Sequence, residues 1–199
     1  MPSVDLSVEI CGMSGDGTIA AGGILNEAVS RAGLSVLAFD SYPAEIRGFG
    51  RCVTLSRLGD VEMLALSDRT NVLISLDDDQ SLSRVPFLAR HAVVLFDDKP
   101  PFYINEDQSI AARVEPETLL YGIPFGDLAA SVSGGKRGRN LTALGAFAAL
   151  FEVPSAFFHH VIKKKFTPKG NKVLDANLKC FDAGYRYARK SFHGRTFRL

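Results

Sequence analysis

Apolar positions come in short blocks through the first half of the chain and settle into helical spacing in the second. Ser7-Val8-Glu9-Ile10-Cys11 is a brief apolar run that stops at Gly12, the pattern of a strand. After Gly12-Met13-Ser14-Gly15-Asp16-Gly17, the residues Ala20, Ile24, Ala28 and Ala32 recur at helical spacing with Leu25 beside them. Asp16 or Thr18 suits the cap of that helix, and Gly33 suits the position just past its end. Ser35 to Asp40 is a second apolar run. Residues 7–40 therefore spell strand, glycine loop, helix, strand, and a parallel pairing of the two strands is expected.

Further along, Cys52, Thr54, Ser56 and Leu58 alternate with Val53, Leu55 and Arg57, which predicts a strand with two distinct faces. Asn71–Leu76 and Ala92–Phe96 read as buried strands ending in Asp77-Asp78-Asp79 and Asp97-Asp98, and these acids are read as turn formers rather than metal ligands. Pro116 to Ala130 reads as short helical pieces, and Ser131 to Arg139 as a flexible basic loop. Three helices follow: a small-residue one over Asn140–Phe151, one from Pro154-Ser155 to Lys165, and one over Asn171–Arg189. The expected architecture is α/β, with a Rossmann-like wound, mostly parallel sheet, helices on both faces and a helical C-terminal layer. Residues 1–199 are expected to form one domain.

Composition narrows the class. At 199 residues, 46% apolar and 23% charged, the chain is neither a disordered tail, a collagen-like fibre nor a disulfide scaffold. No apolar run approaches the ~20 residues of a membrane-spanning helix, and Met1 to Asp5 lacks the pattern of a signal peptide. Cys11, Cys52 and Cys180 are odd in number and far apart, which suits a reducing, cytoplasmic setting and gives no zinc or iron–sulfur spacing. No cluster and no structural metal is expected on this chain. The net charge of +1 hides a split: residues 136–199 hold fourteen Lys/Arg against three Asp/Glu, and residues 1–135 hold nine against nineteen. The two readings of that split are faces that neutralise each other across the fold, and a basic tail gripping an acidic partner or an anionic ligand. The tail has no nucleic-acid reader motif, so neither nucleic acid nor membrane is expected as a partner.

Two segments carry candidate chemistry. A glycine loop between strand and helix presents backbone N–H groups and a helix N-terminus to an anion. Here the pattern is Gly-x-x-Gly-Asp-Gly rather than the dinucleotide spacing Gly-x-Gly-x-x-Gly, and Asp16 would repel a phosphate. A tight crossover, a cofactor contact by Gly12, Gly15, Asp16, Gly17 and Thr18, and a nicotinamide dinucleotide site with Asp40 on the ribose all stay open. The second segment is Tyr42-Pro43-Ala44-Glu45-Ile46-Arg47-Gly48, placed by the strand before it at the carboxyl edge of the sheet, where ligands of open α/β sheets bind. Arg47 suits a bidentate clamp on carboxylate or phosphate beside Tyr42 and Glu45; the alternative is a self-satisfied Glu45–Arg47 pair. No nucleophile stands beside a base. Ser14 lacks the nucleophile elbow, Cys11 reads as a buried core thiol, and His159-His160 reads as packing or a helix end.

Taken together, the strings Gly12–Gly17 and Tyr42–Gly48 resemble those of the gamma subunit or gamma domain of the 2-oxoacid:ferredoxin (acceptor) oxidoreductases, which include the pyruvate and 2-oxoglutarate enzymes. Asn140-Leu141-Thr142-Ala143-Leu144-Gly145 resembles that family's Asn-x-x-Ala-Leu-Gly helix, and Lys163–Asn177 with Gly184-Tyr185 resembles its terminal pattern, so the likeness runs over residues 7–187. Two residues depart from it: Phe49 stands where many members have a second glycine after the arginine, and Asp16 stands for their glutamine. The resemblance implies a subunit of a multi-chain, thiamine diphosphate-dependent enzyme that oxidatively decarboxylates a 2-oxoacid to an acyl-CoA. It implies that thiamine diphosphate, Mg, [4Fe-4S] clusters and the CoA cosubstrate are served by alpha, beta and, where present, ferredoxin-like delta subunits, with ferredoxin or a related acceptor taking the electrons. This chain would bind no cofactor by itself. Its contacts at the CoA and active-site entrance would come from Gly12, Gly15, Asp16, Gly17, Thr18, Tyr42, Glu45, Arg47 and Gly48. The rival reading is a stand-alone nucleotide-binding or redox-sensing module.

Overall fold

The computed structural model describes residues 4–43, 50–99 and 109–197. Six strands form one sheet: β1 (Asp5–Met13), β2 (Ser35–Ser41), β3 (Arg51–Gly59), β4 (Thr70–Ser75), β5 (Leu88–Asp97) and β6 (Leu119–Ile123). Their spatial order is β2-β3-β1-β4-β5-β6. β1, β4, β5 and β6 pair in parallel, and β3 runs antiparallel to both of its neighbours. The helices are α1 (Thr18–Arg31), α2 (Asp78–Ser81), α3 (Phe125–Ser133), α4 (Arg139–Leu150), α5 (Ser155–Phe166) and α6 (Asn171–Ser191). This is the expected α/β class, with a mostly parallel sheet and a helical C-terminal layer.

Strand alternation sorts side chains onto two unequal cores. Val8, Ile10, Leu58, Val72, Ile74, Val93, Leu95, Tyr121 and Ile123 point to one face and merge with residues of α1, α3, α4, α5 and α6. Cys11, Val53, Leu73 and Val94 point to the other face and meet Ile110, in a smaller core near α2 and two 3-10 turns, Leu82–Phe87 and Ile110–Ala112. Helices thus flank both faces, with the long ones gathered on the first. Every residue of α4 is buried, the signature of a central helix. Each fully buried Phe or Leu there contributes about 1.5–3 kcal/mol relative to exposure. Gly145 of α4 and Gly184 of α6 make the crossing close: a Cβ on Gly145 would collide with the backbone of Phe181, and one on Gly184 with the backbone of Thr142.

Four expectations are corrected. β1 and β2 point the same way but do not pair; β3 is hydrogen-bonded between them over Ser41↔Val53 to Ser35↔Gly59 on one side and Met13↔Arg51 to Asp5↔Gly59 on the other. Residues 116–130 contain β6, not only helical pieces, before α3 begins. The stretch 131–139 is not a loose loop: α3 continues to Ser133, Lys136–Gly138 is a 3-10 turn, and α4 starts at Arg139. Neither Asp16 nor Thr18 caps α1; Gly17 does so in the left-handed region at φ 78°, without a side-chain bond. Gly33 follows that helix at φ 98°, as expected.

Candidate functional site

The carboxyl ends of β1, β4, β5 and β6 share one edge of the sheet, and the glycine loop crosses it. Asp16 is the residue that closes this loop. Its Oδ2 accepts the backbone N–H of Met13 at 2.9 Å, and its own N–H donates to the Met13 carbonyl at 3.0 Å. Gly15 at φ 106° and Gly17 at φ 78° turn the chain in a region that favours glycine. A Cβ on Gly17 would stand 2.5 Å from Asn140 Nδ2, and one on Gly12 would stand 2.8 Å from Thr18 Oγ1 and 3.0 Å from Leu76 Cβ. Thr18 itself is buried, and its hydroxyl has no partner among the described residues.

The second loop is rooted beside the first. Ser14 donates its backbone N–H to the Gly50 carbonyl at 2.9 Å, and a Cβ on Gly50 would touch Pro43 at 2.7 Å. The two ends of the segment between Pro43 and Gly50 are therefore held together, next to Met13–Gly17. Tyr42 projects there with 62% of its surface exposed. Glu45, Arg47 and Gly48 lie outside the described residues, as does Phe49.

The N-terminus of α4 supplies two residues that the sequence reading did not place in the site. Asn140 Nδ2 donates to the Gly17 carbonyl at 3.1 Å, while its Oδ1 accepts the Leu141 N–H at 2.9 Å. Arg139 is buried, with Nη1 3.9 Å from Asp16 Oδ1 and, among the described residues, no partner for Nε. The signal was present: Arg139-Asn140 is a polar pair opening a run of apolar residues that is buried on all sides.

Charge at this edge is mostly negative. Burial pushes the Asp16 carboxyl up, against the pull of Arg139 and the Met13 N–H, with Asp77 adding to the rise. Burial also raises Asp97 to about 6, opposed by backbone N–H donors from Lys99 and Gly126 and by Arg139. Asp98 is likewise raised by burial. A phosphate here would meet these carboxylates as well as Arg139, which weighs against a phosphate cradle. Asp40 is exposed on the edge strand β2, and one of its carboxylate oxygens accepts the Thr54 hydroxyl at 2.8 Å. The Cys11 thiol is pushed up to about 11 by burial and is no nucleophile near neutral pH. The acids after β4 serve as turn formers: Asp77 caps α2 by accepting Gln80 N–H, and Asp78 accepts Ser75 Oγ and Ile110 N–H. His159, on α5, packs edge-on against Phe181 and lies 2.7 Å from Asp182 Oδ1.

Four likenesses bear on this geometry. Residues 7–187 match the family model described as pyruvate ferredoxin/flavodoxin oxidoreductase. The chain is 24% identical over 194 residues to the indolepyruvate oxidoreductase subunit IorB of Archaeoglobus fulgidus, covering 92% of this chain and 95% of the relative. Among solved structures, it aligns with 2-oxoglutarate:ferredoxin oxidoreductase from Magnetococcus marinus, with 2-oxoglutarate, coenzyme A and succinyl-CoA bound, at a TM-score of 0.84 and 27% identity. That alignment takes in 98% of this chain and 33% of the other, so the chain spans about a third of that polypeptide. Pyruvate oxidoreductase subunit PORC from Thermotoga maritima shares the fold at a TM-score of 0.73 and 22% identity, over 92% of this chain and 96% of the other.

Proposed function

The chain belongs to the pyruvate ferredoxin/flavodoxin oxidoreductase family, and from that premise we propose that it acts as the gamma-type subunit of a multi-subunit, thiamine diphosphate-dependent 2-oxoacid:acceptor oxidoreductase in the cytoplasm. The reaction converts a 2-oxoacid to an acyl-CoA and passes electrons to ferredoxin or a related acceptor. This chain's own donors do not fit the metal centres of such an enzyme. Among the described residues no three His, Cys, Asp or Glu side chains are grouped to hold a metal ion, and all three cysteines are buried and free. Thiamine diphosphate, Mg and the [4Fe-4S] clusters belong to companion alpha and beta chains and, where present, a delta chain. Residues 1–199 work as one docking unit.

The observation that carries this reading is the bond from Ser14 N–H to the Gly50 carbonyl, which sets the roots of both family-like loops side by side on one sheet edge. In the proposal, Gly12, Gly15, Asp16, Gly17 and Thr18 form a fixed wall, and Tyr42, Glu45, Arg47 and Gly48 face the companion chain where CoA enters. The lysines Lys163, Lys165, Lys169 and Lys172, all exposed, meet an acidic companion surface. The test is reconstitution. The purified chain is expected to show no 2-oxoacid oxidation with a dye acceptor, and activity is expected to appear only when the companion chains are added. Turnover by the chain alone would overturn the proposal, as would full activity of the companions without it. The geometry weighs against the rival dinucleotide module at the glycine loop, where the carboxylate of Asp16 is turned onto the Met13 N–H inside the turn.

A further inference from the structure

At the opposite, amino edge of the sheet lies a cavity of about 560 Å³ that the reading above does not use. Its walls come from the approach to β4, the start of β5 and the approach to β6. Between the pairs Thr70↔Leu88 and Val72↔Val93, β4 advances two residues while β5 advances five, so β5 carries a looped-out segment. His91 sits in it at φ 59°, a conformation uncommon for any residue but glycine. That segment presents Arg90 and His91 to the cavity, beside Arg69, whose guanidinium is held along the wall by the Pro86 carbonyl at 3.1 Å. Glu115 and Glu117 line the cavity from the segment leading into β6. Because the strand order is β4-β5-β6, the cations gather on one flank and the acids on the other. Among the described residues, Arg90, His91, Glu115 and Glu117 make no side-chain hydrogen bond or ion pair, with each other or elsewhere.

These four side chains are solvent-exposed, and charges of both signs set on opposite flanks of a cavity of small-molecule size match a ligand that carries both. A simple anion would meet the two glutamates, and a simple cation would meet the arginines. Val85 and Leu88 add an apolar part to the lining. We propose that this cavity binds a small zwitterion with an apolar body, an α-amino acid of the leucine, methionine or phenylalanine kind. Its carboxylate takes Arg90 and His91, and its ammonium takes Glu115 and Glu117. The looped-out turn of β5, with its left-handed histidine, sets Arg90 and His91 in the wall of the cavity.

The experiment is calorimetric titration of the full chain with L-leucine, L-methionine and L-phenylalanine. Two analogues of leucine that keep one charge each, 4-methylpentanoate and 3-methylbutylamine, serve as controls. Saturable one-to-one binding of at least one amino acid is expected, with the matching single-charge analogues at least tenfold weaker. Arg90→Gln and Glu117→Gln, both on the surface, are each expected to weaken binding about tenfold, and Glu62→Gln, outside the cavity, to leave it unchanged. Absence of saturable binding by all three amino acids would overturn the proposal. So would analogues that bind as well as the amino acid, or cavity variants that bind like the parent. None of these readouts depends on companion chains, so failure here leaves the oxidoreductase reading standing.

Discussion

At the scale of single residues, the glycine loop is held by its neighbours more than by its own glycines. Gly17 combines a left-handed backbone with a side-chain amide 2.5 Å from where a Cβ would stand, and that amide is the Asn140 group that bonds its carbonyl. Gly17→Ala is expected to cost about 1–3 kcal/mol in the urea midpoint, from strain and from displacing Asn140. In an Asn140→Ala background the displacement is gone and only the strain is left. The double-mutant cycle should therefore show Gly17→Ala costing less there, by on the order of 1 kcal/mol. Strict additivity would mean that the amide does not touch the loop. Asp97 gives a pH prediction. Its carboxyl is raised to about 6 from 3.8, so the folded chain binds its proton more tightly than the unfolded one. That contribution is full at low pH and is lost as pH rises from about 4 through 6. Asp97→Asn removes the loss, so the stability of the variant relative to the parent should improve between pH 4 and 6.5. A drift of opposite sign would mean that the Lys99 and Gly126 N–H donors outweigh burial. From the sequence, Gly12, Gly15, Asp16 and Gly17 were legible as a turn at a strand end. The partner of Asp16 was not, because its bond to Met13 satisfies an acid that periodicity can only register as polar.

At the scale of elements, local patterns were read well and long-range ones were not. β1, α1, α5 and α6 follow from spacing that lies within each segment. The insertion of β3 between β1 and β2 depends on hydrogen bonds between residues tens of positions apart, which no periodicity records. β6 was missed because Leu119-Leu120-Tyr121-Gly122-Ile123 is a short edge strand, half exposed, with glycine inside and Pro124 after it, and those residues read as turn punctuation. Of the α4–α6 crossing, only the small-residue character of Asn140–Phe151, which includes Gly145, was legible; Gly184 entered only through the family resemblance. Gly184→Ala drives a methyl into the Thr142 backbone, which cannot yield as a flexible side chain would. A loss of roughly 2 kcal/mol or more is expected despite the better helix former. Gly23→Ala, on the exposed face of α1 with Lys165 Nζ at 4.0 Å as its one neighbour among the described residues, should instead stabilise by about 0.5–1 kcal/mol. Thermal melts of the two variants, in opposite directions, check both halves of the argument.

At the scale of the whole molecule, the charge split resolves into cross-fold pairs with a surplus. Lys164 bonds Glu27 at 2.9 Å, Lys136 approaches Asp127 at 3.6 Å and Arg139 approaches Asp16 at 3.9 Å, each joining the basic C-terminal part to the acidic remainder. These pairs are few against the lysines left exposed on α5 and α6, so the cross-fold reading holds in part, and the exposed surplus is what the proposed companion surface would meet. Among the described residues no helix is long and apolar enough to cross a membrane. In the proposed function, the sheet edge where the two loop roots meet is a docking platform for a companion chain that supplies the reacting groups.

Hydrogen–deuterium exchange compares this chain alone with the same chain in its native assembly, and so tests that division of labour at its point of contact. The account predicts slowed exchange in residues 12–18 and 42–50 on assembly, while the cavity segment 88–91 at the far edge stays as it was. Protection confined to other surfaces, with both loops exchanging as fast as in the free chain, would contradict it.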